Sequence, residues 1–281
     1  MEKVSISHES IERQINDKVK NPFDALNEYI WNAIDSGAKK IDIKIKIAQG
    51  VYIKELKIID DGCGIDHDDL KIELFGNFNT SLKSMEKDKN KSLPHGYRGF
   101  GRFSFIKFAN RCFWDTTYKS KKESKNYRYQ IEITKDNLNA YDPINLMETK
   151  ERTGTSVSFG FDGMEQMAIL TDRDERIPLS HIINKIALEF CWVIELLGIK
   201  ININDKELDY SFLIEKKETD KIKVDNEEFE FKFIKWKTQL KSEYSKYYLI
   251  DSENKEAFVD TTLLNNKGDD FYHSLYVKGG Y

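Results

Sequence analysis

The stretch Pro22-Phe23-Asp24-Ala25-Leu26-Asn27-Glu28-Tyr29-Ile30-Trp31-Asn32-Ala33-Ile34-Asp35 decides how this chain is read. Phe23, Leu26, Ile30, Ala33 and Ile34 recur at the three-and-four spacing of a helix that buries one face. Asn21 supplies an N-cap ahead of a proline at the first helical position, and Gly37 supplies a stop. Glu28, Asn32 and Asp35 stand four and three apart, so they stack along one stripe roughly opposite Leu26 and Ile30. By itself such a stripe is an ordinary solvated face, the commonest outcome for an amphipathic helix. The sequence that follows gives it another meaning.

Ile41-Asp42-Ile43-Lys44-Ile45-Lys46-Ile47 alternates strictly and predicts a strand, with a second short strand at Leu56-Lys57-Ile58-Ile59. The second strand runs into Asp60-Asp61-Gly62-Cys63-Gly64-Ile65. A carboxylate at a strand end, followed by two glycines one residue apart, suits a backbone that turns tightly and admits a ligand against it. Taken alone, Asp-Gly marks a simple turn. A third element, from His95-Gly96-Tyr97-Arg98-Gly99-Phe100-Gly101-Arg102 to Ser104, leads into Phe105-Ile106-Lys107-Phe108-Ala109, which predicts a short helix. Glycines that free backbone N–H groups before a helix N-terminus make a cradle for an anion. Between these motifs, Asn77 to Ser92 is nearly devoid of apolar residues and predicts a long loop of the kind that closes over a ligand.

The order Glu-x3-Asn-x2-Asp, Asp-x-Gly-x-Gly, Gly-x2-Gly-x-Gly, and then Gly154-Thr155 opening the apolar strand Ser156-Val157-Ser158-Phe159, resembles the GHKL (Bergerat-fold) ATPases. These include type II topoisomerase subunits, heat-shock chaperones, MutL, MORC proteins and histidine kinases. The likeness covers residues 21–160, and four motifs in register make it specific although each is weak alone. It implies an α+β fold: a two-layer α/β sandwich over residues 1–205, its boundary lying between about 178 and 210, then a smaller transducer-like domain over 206–281. The layout is most similar to MutL and MORC proteins. It also implies ATP and Mg2+ as cofactors, slow hydrolysis, lid closure and an ATP-dependent homodimer. DNA or a nuclease or other partner protein would act through a larger assembly, in DNA maintenance or defence.

Carried across, the resemblance makes Glu28 the general base for the attacking water and Asn32 the magnesium ligand, with Asp35 supporting the site. Asp60 would accept the adenine amino group, and Thr155 would hold a bridging water. Gly62, Gly64 and Ile65 would line the nucleotide, while amides at Gly96, Gly99 and Gly101 would reach the phosphates. Arg98, Arg102 and Lys83 are candidate partners of the γ-phosphate, each weighed against being a surface charge. Lys237 and Lys278 are alternatives for the lysine that a transducer domain directs to the same phosphate. The chain ends at Tyr281, before such a domain would normally finish, which predicts a fragment or a domain completed by a partner. Phosphotransfer of the histidine-kinase type and a nucleotide-sensing scaffold with little turnover are the alternative readings.

Composition agrees without deciding. The 281 residues are 40% apolar and 33% charged, ordinary globular material. A net charge of −4 excludes a global basic field for nucleic acid, although Lys119–Lys125 and Lys235–Lys241 are locally basic. Cys63, Cys112 and Cys191 show no metal spacing, and the five histidines do not cluster. The absence of a leader or a membrane-length apolar run predicts a cytoplasmic protein. Strands are expected at Cys112–Tyr118, Tyr127–Thr134 and Thr155–Phe161, a long amphipathic helix at Leu179–Leu197 and a strand at 199–203. Short strands are expected at Phe229–Phe233, Tyr247–Ile250 and Phe271–Val277.

Overall fold

A computed structural model of the chain describes residues 8–48, 52–67, 101–138, 141–161, 179–225, 227–240, 245–252, 256–264 and 270–279. The chain gathers into two compact units. The first contains helices α1 (His8–Lys18) and α2 (Pro22–Asp35), a 3₁₀ segment (Gly101–Lys107) and most of one sheet. Its strands are β1 (Lys40–Ala48), β2 (Tyr52–Asp60), β3 (Arg111–Lys119), β4 (Asn126–Thr134), β5 (Ile144–Thr149) and β6 (Gly154–Gly160). With β7 (Lys200–Ile203) and β8 (Lys206–Glu207) they form eight strands in the order β5-β4-β3-β6-β2-β1-β7-β8.

Helix α2 begins as its sequence dictates. Asn21 is extended at φ −141° and its side chain accepts from the Asp24 N–H at 2.9 Å, with Pro22 following. It ends where Gly37 adopts φ +79°, a conformation open to glycine. The buried face is wider than the spacing predicts, because Tyr29 and Trp31 join Leu26 and Ile30 in the core. Tyr29 meets Phe159 edge-on at 4.9 Å, which seats the helix on β6. In β1, Ile41, Ile43 and Ile45 are buried while the alternate residues face outward, as a period of two requires.

The expected helix at 105–109 is instead a 3₁₀ segment that starts earlier, at Gly101. Packing sets its shape: Phe103, Ser104, Phe105 and Ile106 are all buried, and the Ser104 hydroxyl reaches the carbonyls of Gly101 (2.7 Å) and Ala25 (3.0 Å). Strands β5 and α1 carried too weak a pattern to be anticipated. Edge strand β5 is exposed along nearly its whole length, so nothing enforces alternation, and α1 buries only Ile11 and Ile15.

The second unit sets α3 (Leu179–Leu197) against a five-stranded sheet. The sheet comprises β9 (Ile214–Val224), β10 (Glu227–Trp236), β11 (Lys246–Ile250), β12 (Glu256–Thr261) and β13 (His273–Lys278), in the order β12-β11-β13-β10-β9. Strand β11 runs parallel to β13; the other described pairings are antiparallel. Trp192 of α3 stacks on Tyr248 at 6.1 Å, Tyr248 stacks on Tyr276 at 5.4 Å, and the Tyr276 hydroxyl donates to the Trp192 carbonyl. Beside this stack Glu195 is buried, accepting from Lys217 (2.7 Å), Lys232 (3.0 Å) and Tyr210 (2.9 Å). Burial pushes its carboxyl up, but these bonds outweigh burial and hold it below the usual range.

Removing Glu195 strands donors that were placed for it. Glu195→Ala is therefore expected to destabilise the second unit by about 2–3 kcal/mol at neutral pH. Because the folded carboxyl titrates low, the deficit should shrink only as pH falls through that lowered value, which chemical denaturation between pH 7 and 3 will show.

Candidate functional site

The polar stripe of α2 runs further than three residues. Ser36 follows Asn32 by four, and its N–H closes on the Asn32 carbonyl at 3.0 Å. Glu28, Asn32 and Ser36 thus lie in one line, with half-buried Asp35 beside its end. Each end of the line meets a different glycine-bearing segment.

At the Glu28 end the partner is Gly101. A Cβ there would lie 2.7 Å from Glu28 Oε2 and 3.4 Å from Asn32 Nδ2, so any side chain at this position would push the carboxylate aside. Tyr29 fixes the approach, its hydroxyl donating to the Arg102 carbonyl at 2.8 Å and accepting from the Phe105 N–H at 3.2 Å. The Arg102 guanidinium lies 4.7 Å over the Phe103 ring, and burial pushes it down to about 10. Gly96, Gly99, Arg98 and Lys83 lie outside the described residues.

At the other end the Ser36 hydroxyl lies 3.3 Å from Asp60 Oδ1 and 2.7 Å from the Ala33 carbonyl oxygen. The same Asp60 oxygen accepts from the Gly62 N–H at 2.9 Å. Asp60 pairs with Thr155 across β2 and β6, and Thr155 with Thr116 across β6 and β3. The two threonine hydroxyls are 3.0 Å apart, and Thr116 Oγ1 also accepts from the Ile65 N–H at 3.0 Å. The Ile65 carbonyl accepts from Tyr129 at 2.9 Å, which ties the turn to β4.

Close approach dictates the glycines of this turn. A Cβ on Gly62 would sit 1.8 Å from Ser36 Oγ, and one on Gly64, already at φ +74°, would sit 2.1 Å from the Thr117 carbonyl oxygen. Asp61 faces elsewhere, its Oδ1 accepting from the N–H groups of Lys39 (2.7 Å) and Lys40 (2.9 Å) and so fixing the connection from α2 to β1. Ser36, Asp61 and Thr116 are positioning residues that the sequence reading passed over. Only Ser36 had a visible signal, the four-residue continuation of the stripe.

Burial pushes the Asp60 carboxyl up to about 6, even though the N–H groups of Gly62 and Thr155 and the Ser36 hydroxyl draw it down. Among the described residues no three His, Cys, Asp or Glu side chains converge as a metal cage, and no described helix is long and apolar enough to cross a membrane.

Residues 20–156 match the family described as histidine kinase-, DNA gyrase B-, and HSP90-like ATPase. The chain is 30% identical over 139 residues to a DNA mismatch repair protein MutL of Pseudomonas syringae pv. tomato, covering 50% of this chain and 20% of that protein. It is 32% identical over 146 residues to a MutL of Thermodesulfovibrio yellowstonii, covering 51% of this chain and 25% of that protein. The matches thus span a fifth to a quarter of these curated relatives. In fold, the chain is similar to the ATPase region of Saccharomyces cerevisiae topoisomerase II, with a TM-score of 0.51 at 17% identity, covering 91% of this chain and 72% of that one.

Since the folded-state value of Asp60 lies above the ordinary carboxylate range, ionising it opposes the fold. The stability held by the neutral form is complete below about pH 4 and is lost as pH rises through about 6. Asp60→Asn, which cannot ionise, is expected to gain up to about 2–3 kcal/mol over the parent at pH 8 and nothing at pH 4 in denaturant titrations.

Proposed function

We propose, on the premise that residues 20–156 belong to the histidine kinase-, DNA gyrase B-, and HSP90-like ATPase family, that this chain binds ATP with magnesium along the α2 stripe and hydrolyses it slowly. The observation that carries the proposal is the approach of Gly101 to Glu28 and Asn32, which sets a glycine backbone against a carboxylate and a neutral side-chain amide. The desolvated Asp60 suits the adenine amino group, a donor that satisfies the carboxylate without charge, and Thr155 lies beside it to hold a water. Gly62, Gly64 and Ile65 line that end, and Asp35 supports the stripe. Gly96, Gly99 and Gly101 supply amides for the phosphates, and Arg102 remains a candidate for the γ-phosphate.

Asn32 would hold the magnesium ion through one oxygen. With no acidic cage among the described residues, the donor set fits a hard cation that draws its other ligands from phosphates and water. When bound, that ion neutralises phosphate charge. Glu28 takes a proton from the attacking water as the water oxygen bonds to the γ-phosphorus and the bond to the bridging oxygen breaks, leaving ADP and inorganic phosphate.

The finer organisation is part of the same proposal. The ATP-binding domain is residues 1–205 and the transducer-like domain 206–281, with Lys237 or Lys278 as its lysine. Closure of a lid over ATP favours a homodimer, and hydrolysis reopens it. A ligand at a hundred times its dissociation constant stabilises the state it selects by about 2.7 kcal/mol, enough to shift such an equilibrium. Since the relatives above are named DNA mismatch repair proteins, work in DNA maintenance or defence, within the cytoplasm, is the setting proposed here.

Two substitutions test the assignment. Glu28→Ala should abolish phosphate release while calorimetry still records ATP binding within a few-fold of the parent; unchanged turnover would remove Glu28 as the base. Gly101→Ala should place a methyl against the Glu28 carboxylate, lowering kcat by about 10- to 100-fold. Its thermal midpoint should stay close to the parent's, because the atom displaced is the free end of a flexible side chain.

A further inference from the structure

The second sheet is apolar on both faces. One face carries Tyr248, Tyr276 and Trp236, all nearly inaccessible, with Tyr248 and Tyr276 reaching α3 through the Trp192 contacts. A sheet with only one packed face alternates apolar inward with polar outward. Here the outward positions are apolar as well.

Strand register shows how this outward face is laid out. One row across all five strands reads Glu218, Phe233, Leu275, Tyr247, Asp260. The next reads Asp220, Phe231, Val277, Leu249, Phe258. The three central strands are apolar in both rows, and carboxylates stand on the two edge strands. Phe258 is 42% exposed and Ile222, on the same face of β9, is 46% exposed.

Charge is equally uneven. Among the described residues the face carries two lysines, and both are already engaged: Lys216 with Glu218 at 2.7 Å and Lys235 with Glu215 at 2.6 Å. Asp220 and Asp260 enter no ion pair among the described residues. The apolar band, three strands at about 4.8 Å spacing, is about 10 Å wide, matching one helix, whose diameter with side chains is about 10–12 Å.

We infer that the outward face of the second sheet docks an amphipathic helix of a partner protein, its apolar stripe on the Phe231–Phe233 band and its flanking lysines or arginines against Asp220 and Asp260. Nucleic acid is disfavoured by the sign of the rim, and a second copy of this sheet would bring the same carboxylates against their equivalents. The inference stands apart from the nucleotide site and does not depend on it.

The probe is a fluorescent 18-residue peptide with leucines at helical spacing flanked by lysines, titrated into the full 281-residue chain and followed by anisotropy. Controls are a scrambled peptide of equal composition and a version with glutamate for lysine. The lysine helix should bind at least ten-fold more tightly than either control, and should weaken as salt is raised. Phe258→Asp, and separately the double change Asp220→Lys with Asp260→Lys, should each weaken it ten-fold or more with circular dichroism and thermal midpoint retained. All three positions are exposed, so the fold tolerates the changes. No binding, equal binding of a control, or variants indistinguishable from the parent would overturn the inference. Self-association of the parent that Phe258→Asp abolishes would do so as well, by giving the face to a second copy.

Discussion

The first unit is organised around one half-buried carboxylate. Asp60 ends β2 at the point where α2 also ends, and its Oδ1 serves both Gly62 and Ser36. That single atom joins a helix C-terminus, a strand end and a glycine turn. The threonines of β6 and β3 complete the arrangement, since Thr155 lies opposite Asp60 and Thr116 secures the far side of the turn at Ile65. Without the two glycines the geometry has no solution, because a side chain at either would enter Ser36 or the β3 backbone.

This arrangement sets stability against use. Burial leaves the carboxyl at about 6, so at neutral pH the molecule carries an ionised group the fold itself opposes. On the reading proposed above a ligand donor would relieve that opposition, and titration perturbed in this way is frequent at functional sites. Glu195 in the second unit is the contrasting case. It is buried too, yet two lysines and a tyrosine satisfy it, so its charge supports the fold. The two carboxyls move in opposite directions because the donors to Glu195 include two lysine charges, whereas those to Asp60 are neutral N–H and hydroxyl groups.

The second unit also explains why α3 holds its place: an aromatic stack from Trp192 through Tyr248 to Tyr276 lies beside the Glu195 cluster. Strand β10 contributes to both faces of its sheet, with Ile234 and Trp236 on one and Phe231 and Phe233 on the other. Its reading as a strand followed from that density of aromatic residues. The edge strands β9 and β12 were less legible, because their outward residues meet no neighbour that enforces a pattern.

Local chemistry determined a great deal by itself. The cap at Asn21, the stop at Gly37 and the alternation of β1 are short-range effects, written within a few residues of where they act. The stripe of Glu28, Asn32 and Asp35 and the turn at Asp60–Ile65 were legible for the same reason. Only the tertiary structure decided that Gly101 abuts Glu28, that Ser36 extends the stripe to Asp60, and that Thr116 closes the turn. Those contacts join residues 24 to 73 positions apart, and such separations are bridged by core packing and sheet register, which no local pattern encodes.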